Sequence, residues 1–221
     1  MKKKILIVGA SRGIGLATVS AALASGYRVR ALARSASRIN IEHEALEKFS
    51  GEALDRQDIE RALHGVDAVI QALGIPINLK MFTGPIDLFS SSTRLLVPAM
   101  EAVDVRRLLT VTGYGSGDGR RRIPSLQRIG FEVFLGRAYS DKDIQEDIIK
   151  SSSLDWTIVR PGVLTSGTST DSYRVLEAAD SWRNGFISRA DVADFLVEQI
   201  DDPSYMKKTP VLIGRYGLPN L

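Results

Sequence analysis

The strongest constraint on this chain is Lys4-Ile5-Leu6-Ile7-Val8-Gly9-Ala10-Ser11-Arg12-Gly13-Ile14-Gly15-Leu16. Its continuously apolar opening, rich in isoleucine and valine, predicts a strand buried on both faces. Glycines follow at 9, 13 and 15, and Leu16-Ala17-Thr18-Val19-Ser20-Ala21-Ala22-Leu23-Ala24 then supplies helix material. Strand, glycine-rich turn and helix in that order build the phosphate site of a dinucleotide-binding unit. Gly9 permits the sharp turn, and Gly13 lets the helix start close to a pyrophosphate. Free N–H groups and the positive end of the helix dipole then face the anion. Three glycines alone would be a weak signal; the strand before them and the helix after them supply the context the motif needs.

The second strand sharpens the reading. Gly26-Tyr27-Arg28-Val29-Arg30-Ala31-Leu32-Ala33-Arg34 ends in an arginine, where NAD-binding units carry a carboxylate for the ribose 2′-hydroxyl. A guanidinium suits a 2′-phosphate, which it grips through two parallel hydrogen bonds. Arg12, inside the turn, is placed to close on the same phosphate. NADP(H) is therefore expected rather than NAD(H); the plain alternative is two solvated arginines. Charge agrees: eight cations and no acid precede Glu42, giving +8 over residues 1–41 and −5 over the remainder. A basic first third also fits nucleic acid, but its coincidence with the phosphate turn assigns it to the cofactor.

Composition excludes several classes. The 221 residues, 44% hydrophobic and 25% charged, suit one globular domain. No apolar run approaches the roughly 20 residues of a membrane span, and the run after Met1-Lys2-Lys3-Lys4 is too short for a signal peptide. No cysteine is present, which excludes disulfides and thiolate chemistry and is consistent with a cytoplasmic protein. With His43 and His64 the sole histidines, no metal site is expected. A small-molecule substrate is expected, without nucleic-acid or membrane partners; monomer and homodimer both stay open.

Further along, a short strand falls over Leu46–Phe49 or Glu52–Leu54, and Asp55 is placed to cap a helix from Gln57 to Leu63. Val66–Ala72 reads as the next buried strand, ending in Ala72-Leu73-Gly74, small residues that let a cofactor ribose approach the backbone. Residues 75–86 break the alternation as a loop. Asp87–Asp104 reads as a long helix that Pro98 should kink or break, and Arg106–Thr112 as the fifth strand. Alternating glycines after Thr112 predict a mobile loop, and its run Arg120-Arg121-Arg122 is either solvated or turned to an anionic substrate. Tyr139–Ser152 is the next helix, Leu154–Arg160 the sixth strand, and 163–187 a further irregular segment. Ser188 and Asp191 form a capping box that opens the last helix, and Pro210–Gly214 closes as a short strand.

An ordered series, Gly9-Ala10-Ser11-Arg12-Gly13-Ile14-Gly15, Thr112-Gly113-Tyr114-Gly115, Lys142-Asp143-x-x-Glu146, Leu154–Gly162 and Ser188–Ala193, resembles the atypical short-chain dehydrogenases/reductases. The branch is the NAD(P)H-binding one, NmrA-like or biliverdin-reductase-B-like. The resemblance covers nearly the whole chain. It implies an α/β, Rossmann-type doubly wound parallel sheet flanked by helices, as one domain over 1–221 with substrate loops in 75–86, 113–136 and 163–187. It also implies cofactor contacts from Ser11 and Ile14 in the turn, and from Leu54 and Asp55 against the adenine. Lys142 would anchor the nicotinamide ribose, and Pro161, Gly162 and Val163 would receive the carboxamide. Members that reduce carbonyls use Ser/Thr, Tyr and Lys, with the lysine lowering the tyrosine pKa. Thr112 and Lys142 match the first and third. The usual Tyr-x-x-x-Lys spacing puts the tyrosine at Ala138, whereas Tyr139 stands here, on the same helix face as Lys142. Tyr114 is an alternative phenol, and a solvent or substrate proton is the third source. Hydride transfer to a small carbonyl, quinone or flavin-type acceptor is one implied function; a non-catalytic NADP-binding sensor is the other.

Overall fold

The computed structural model describes residues 2–75, 86–117 and 125–215, and over 125–135 the backbone alone. The apolar run Ile5–Val8 forms the centre of strand β1 (Lys4–Val8), and all four of these side chains are fully buried. Burial on both faces follows from its neighbours. It pairs in parallel with β2 (Arg28–Ala33) on one side and β4 (Ala68–Gln71) on the other. Beyond β2 lies β3 (Leu46–Ser50); beyond β4 lie β5 (Arg107–Val111), β6 (Asp155–Pro161) and β10 (Val211–Gly214), all parallel. The edge strand β8 (Tyr173–Leu176) alone runs antiparallel, which gives the order β3-β2-β1-β4-β5-β6-β10-β8.

The order reverses direction at β1–β4, and helices cover both faces. Ile5 and Ile7 pack with Val19 and Ala22 of α1 (Gly13–Ala24) and Val192 and Leu196 of α5 (Arg189–Glu198). Leu6 and Val8 point the other way, towards Ile59 and Leu63 of α2 (Arg56–Leu63) and Leu96 and Met100 of α3 (Leu88–Ala102). Helix α4 (Ser125–Lys150) joins this second layer through Ile149. Parallel pairing brings the carboxyl ends of β1, β4, β5 and β6 to one edge, where such sheets bind ligands. Among the described residues no helix is long and apolar enough to cross a membrane.

Several expectations need correction. The strand after residue 45 is Leu46–Ser50; Glu52 is irregular and Ala53 and Leu54 form a turn, because Ala33 and Ser50 are the last register partners on β2. Helix α3 runs unbroken through Pro98. Pro98 and Arg94 both lie on its exposed side, so the Arg94 carbonyl that loses its helical donor faces water. Helix α4 begins at Ser125 rather than Tyr139; Leu126, Ile129 and Val133 already recur at helical spacing once the glycine tract ends. The irregular segment 163–187 holds three short strands. These are β8 at the sheet edge and the parallel pair β7 (Val163–Thr165) and β9 (Phe186–Ser188). Of the loop expected over 75–86, residues 76–85 lie outside the described residues, as does the arginine run at 120–122.

Candidate functional site

The glycine turn is built by close approach. Gly9 has φ +89°, and a Cβ there would stand 2.8 Å from the Ala72 carbonyl oxygen. The turn thus crosses directly over the end of β4, and the Gly9 and Ala10 N–H groups donate to the Leu32 carbonyl at 3.0 and 3.2 Å. A Cβ on Gly15 would lie 2.2 Å from the Gly9 carbonyl oxygen, so the helix seats against the turn it follows. Gly13 differs: a Cβ there meets no atom within 4 Å. Open space in front of the first turn of α1, whose N-terminal N–H groups receive no side-chain cap from Arg12, is what a bound phosphate requires.

A cavity of about 260 Å³ extends from that turn across the ends of β2, β3 and β4. It brings together Gly9, Ser11, Arg12, Arg34, Leu54, Ala72, Leu73 and Gly74, all expected from the sequence. Gly13 and Ile14 adjoin it at the start of α1, and Ile14 packs against the core. Asp55 stands beside it with its carboxylate accepting from the Asp58 N–H at 2.9 Å, so its visible role is the helix cap. Sequence reasoning missed Leu32, Ala33, Gly51, Glu52, Ala53 and Leu88. The first five lie on or just past the ends of β2 and β3, a position that register, once known, would have flagged. Arg34 is exposed, and among the described residues it makes no hydrogen bond or ion pair. Arg12 reaches the other way, donating to the Gly74 carbonyl at 3.4 Å and linking the first turn to the fourth.

The remaining predicted residues gather at the ends of β5 and β6. Lys142 on α4 donates to the Thr112 carbonyl at 2.5 Å, and its ammonium lies 4.9 Å from the Phe89 ring centroid and 5.4 Å from that of Tyr139. Burial of this ammonium between two rings lowers its pKa to about 8, against the pull of Glu146 and Asp141. Burial also pushes the Tyr139 phenol up to about 12. The direction is that of a phenol held neutral by desolvation.

Thr112 is buried, and its hydroxyl donates to Glu146 at 2.9 Å. Glu146 in turn holds Arg160 through Nε at 3.0 Å and Nη2 at 2.5 Å, with Lys150 at 2.9 Å. These cations keep the Glu146 carboxyl below its ordinary range despite burial. Thus α4 grips Thr112 at both its hydroxyl and its carbonyl. Asp141, one residue before Lys142, caps α3 by accepting from the Phe89 and Ser90 N–H groups, which fixes the neighbouring helix beside the lysine. Tyr114 is not presented as a phenol from a loop; its ring is buried with Val211 and Ile213. Gly162 packs against Gly185, where a Cβ would stand 2.2 Å from the carbonyl oxygen, and Val163 beyond it is exposed. The side chains of 125–135, and the loop residues Met81 and Phe82, lie outside the described residues.

This fold and this edge define a dinucleotide-binding Rossmann-like protein. The chain belongs to the NAD(P)H-binding family, whose model matches residues 9–203. It is 29% identical over 164 residues to the (4-alkanoyl-5-oxo-2,5-dihydrofuran-3-yl)methyl phosphate reductase of Streptomyces griseus, covering 74% of this chain and 49% of that protein. The chain spans less than half the length of this and of another curated relative, the chloroplast protein TIC 62 of rice. Among solved structures, ChuY of Escherichia coli strain CFT073 superposes with a TM-score of 0.76 at 25% identity, over 100% of this chain and 99% of that one. A wide-type short-chain dehydrogenase/reductase of Veillonella parvula in complex with NADP gives 0.80 at 18% identity, over the whole of both chains.

Proposed function

We propose that this protein is an NADPH-dependent oxidoreductase of a small carbonyl, quinone or flavin-type acceptor. The observation that carries the cofactor choice is Arg34, an unengaged guanidinium on the rim of the cavity, where a carboxylate would select NAD. The donor set fits a dinucleotide phosphate: free N–H groups at the start of α1, open space at Gly13, and the Arg34 guanidinium on the cavity rim. Gly9, Ser11, Gly13 and Ile14 would hold the pyrophosphate. Leu54 and Asp55 would flank the adenine, Ala72–Gly74 the ribose, and Pro161, Gly162 and Val163 the carboxamide. Bound nicotinamide supplies a hydride. Lys142 would hold the adjoining ribose by its ammonium, and the buried, strapped Thr112 keeps that ammonium in place. The relative from Streptomyces griseus carries the name of a reductase, which supports the activity.

Arg34→Ala is expected to weaken NADPH binding about tenfold while leaving NADH nearly unchanged, since one charge-assisted bidentate contact is removed. Fluorescence titration of both nucleotides checks this, and equal losses would defeat the 2′-phosphate assignment. The lysine makes a second prediction. Its charge is present at neutral pH and lost as pH rises through about 8, so NADPH affinity should fall between pH 7 and 9. Lys142→Arg, charged throughout, should give a flat profile over that range; parallel profiles for the two proteins would refute the role.

A second reading is a non-catalytic NADP-binding sensor. The specific observation favouring it is that the Thr112 hydroxyl is already spent on Glu146 and the Tyr139 phenol is shifted away from neutrality. NADPH oxidation with menadione, FMN or a simple aldehyde separates the two. Turnover with any of them supports the reductase, and stoichiometric binding without turnover supports the sensor.

A further inference from the structure

A second cavity, of about 370 Å³, lies beyond the carboxyl end of β7, between the 165–172 loop, β9 and the end of β10. It starts two residues past Val163, on the same face of β7. Val163 is the register partner of Phe186, and Phe186 lines the cavity. Both side chains are exposed, at 43% and 47%, and they belong to the few exposed large apolar residues among those described. Apolar surface left open in register on two strands, beside a concavity, marks a binding surface rather than a core.

The polar groups around it divide into spent and unspent. Asp191 is buried, and its carboxylate is filled by the Thr170 N–H at 2.7 Å and the hydroxyls of Ser169, Thr170 and Ser188. It therefore ties the 169–170 loop to the start of α5 and builds the wall. By contrast, the hydroxyls of Thr168 and Ser172 and the guanidinium of Arg215 make no hydrogen bond or ion pair with any described residue. Two free hydroxyl donors and one free cation lining the same cavity as an exposed phenyl ring suit a ligand with a flat apolar body and an anionic group.

We propose that this cavity is the acceptor pocket and that it selects an anionic aromatic acceptor, with Phe186 against the ring and Arg215, Thr168 and Ser172 on the anion. The assignment as an acceptor pocket rests on the reductase reading above; the ligand chemistry rests on the cavity alone.

Lawsone and menadione test it, since they share one naphthoquinone ring, the first an anion at neutral pH and the second neutral. The chain holds no cysteine that menadione could alkylate. Equilibrium dialysis against the NADP⁺-saturated full chain is expected to show lawsone bound more tightly than menadione. Arg215→Gln should weaken lawsone about fivefold, the scale of a partly exposed ion pair, and leave menadione unchanged. Phe186→Ala should weaken both. Equal binding of the two quinones by the wild type, or unchanged lawsone binding in Arg215→Gln, overturns the proposal. NADPH oxidation followed in parallel keeps the two readings apart. Binding with this pattern but no turnover supports the anionic aromatic site and overturns its role as an acceptor pocket. Turnover insensitive to both substitutions overturns the site and leaves the reductase standing.

Discussion

Replacing Glu146 by alanine is expected to destabilise the fold by about 3–5 kcal/mol, the usual loss when one partner of a buried ion pair is removed. Arg160 has no exposed surface, and the ring of Trp182 lies 5.0 Å from its guanidinium carbon. Its Nη1 already lacks a hydrogen-bond partner among the described residues. Without Glu146 the remaining donors also lose theirs, and no rotation carries the cation to water. The Thr112 hydroxyl loses its acceptor at the same time. Urea unfolding should show a lower midpoint with an unchanged slope. A Glu146→Leu, Arg160→Met double variant should recover much of the loss, because paired apolar groups leave no stranded charge. A loss below about 1 kcal/mol for the single variant would mean that Arg160 finds water, contrary to the packing. The pair also sets an acid limit. Glu146 is held below its ordinary value of 4.5. Its contribution is complete above that pH and fades as pH falls through the lower folded value, so the wild type should lose stability on acidification more steeply than the double variant.

That ion pair also marks where sequence reasoning ends. The stretch from Lys4 to Gly15 was legible because everything it needs is local: a buried run, a turn that only glycine fits, and a helix. Ser188 and Asp55 were legible as caps for the same reason, and both accept the N–H three residues on. Arg160 and Glu146 were each part of recognised motifs, yet their pairing depends on how α4 crosses the ends of β5 and β6. Asp141 is the sharper case. The helix start at Asp87 was legible to within one residue, but its cap was not: Asp87 makes no side-chain cap, and a carboxylate from a helix more than fifty residues later takes that role. Tyr114 reads as an alternative phenol from its position after Thr112, and nothing local could show that strand β10, about a hundred residues on, packs against its ring. The three-residue strands β7 and β9 are too short to display a period of two, so the wall of the second cavity could not be seen in advance.

Two glycines of the turn, Gly13 and Gly15, should fail in different ways when each receives a single methyl group, and this separates the fold from the cofactor site. Gly15→Ala places a Cβ 2.2 Å from the Gly9 carbonyl oxygen, well inside any tolerated contact. That oxygen belongs to a backbone pinned to Leu32 by the N–H groups of residues 9 and 10, so it does not yield like a flexible side chain. The start of α1 must move instead, against a core in which Val19 and Ala22 have no free surface. Overpacking of this kind costs about 1–3 kcal/mol, and the displaced helix end no longer aims its N–H groups at the phosphate. Both the unfolding midpoint and the NADPH affinity should therefore fall. Gly13→Ala meets nothing within 4 Å and bears only the strain of φ +59°, about 1 kcal/mol. Its methyl group stands in the open space assigned to the pyrophosphate, so affinity should drop at least tenfold while the fold persists. If Gly13→Ala binds NADPH normally, the phosphate does not sit at this turn. If Gly15→Ala loses affinity without stability, the contact with Gly9 is relieved by the turn rather than the helix, and the turn is softer than its hydrogen bonds imply.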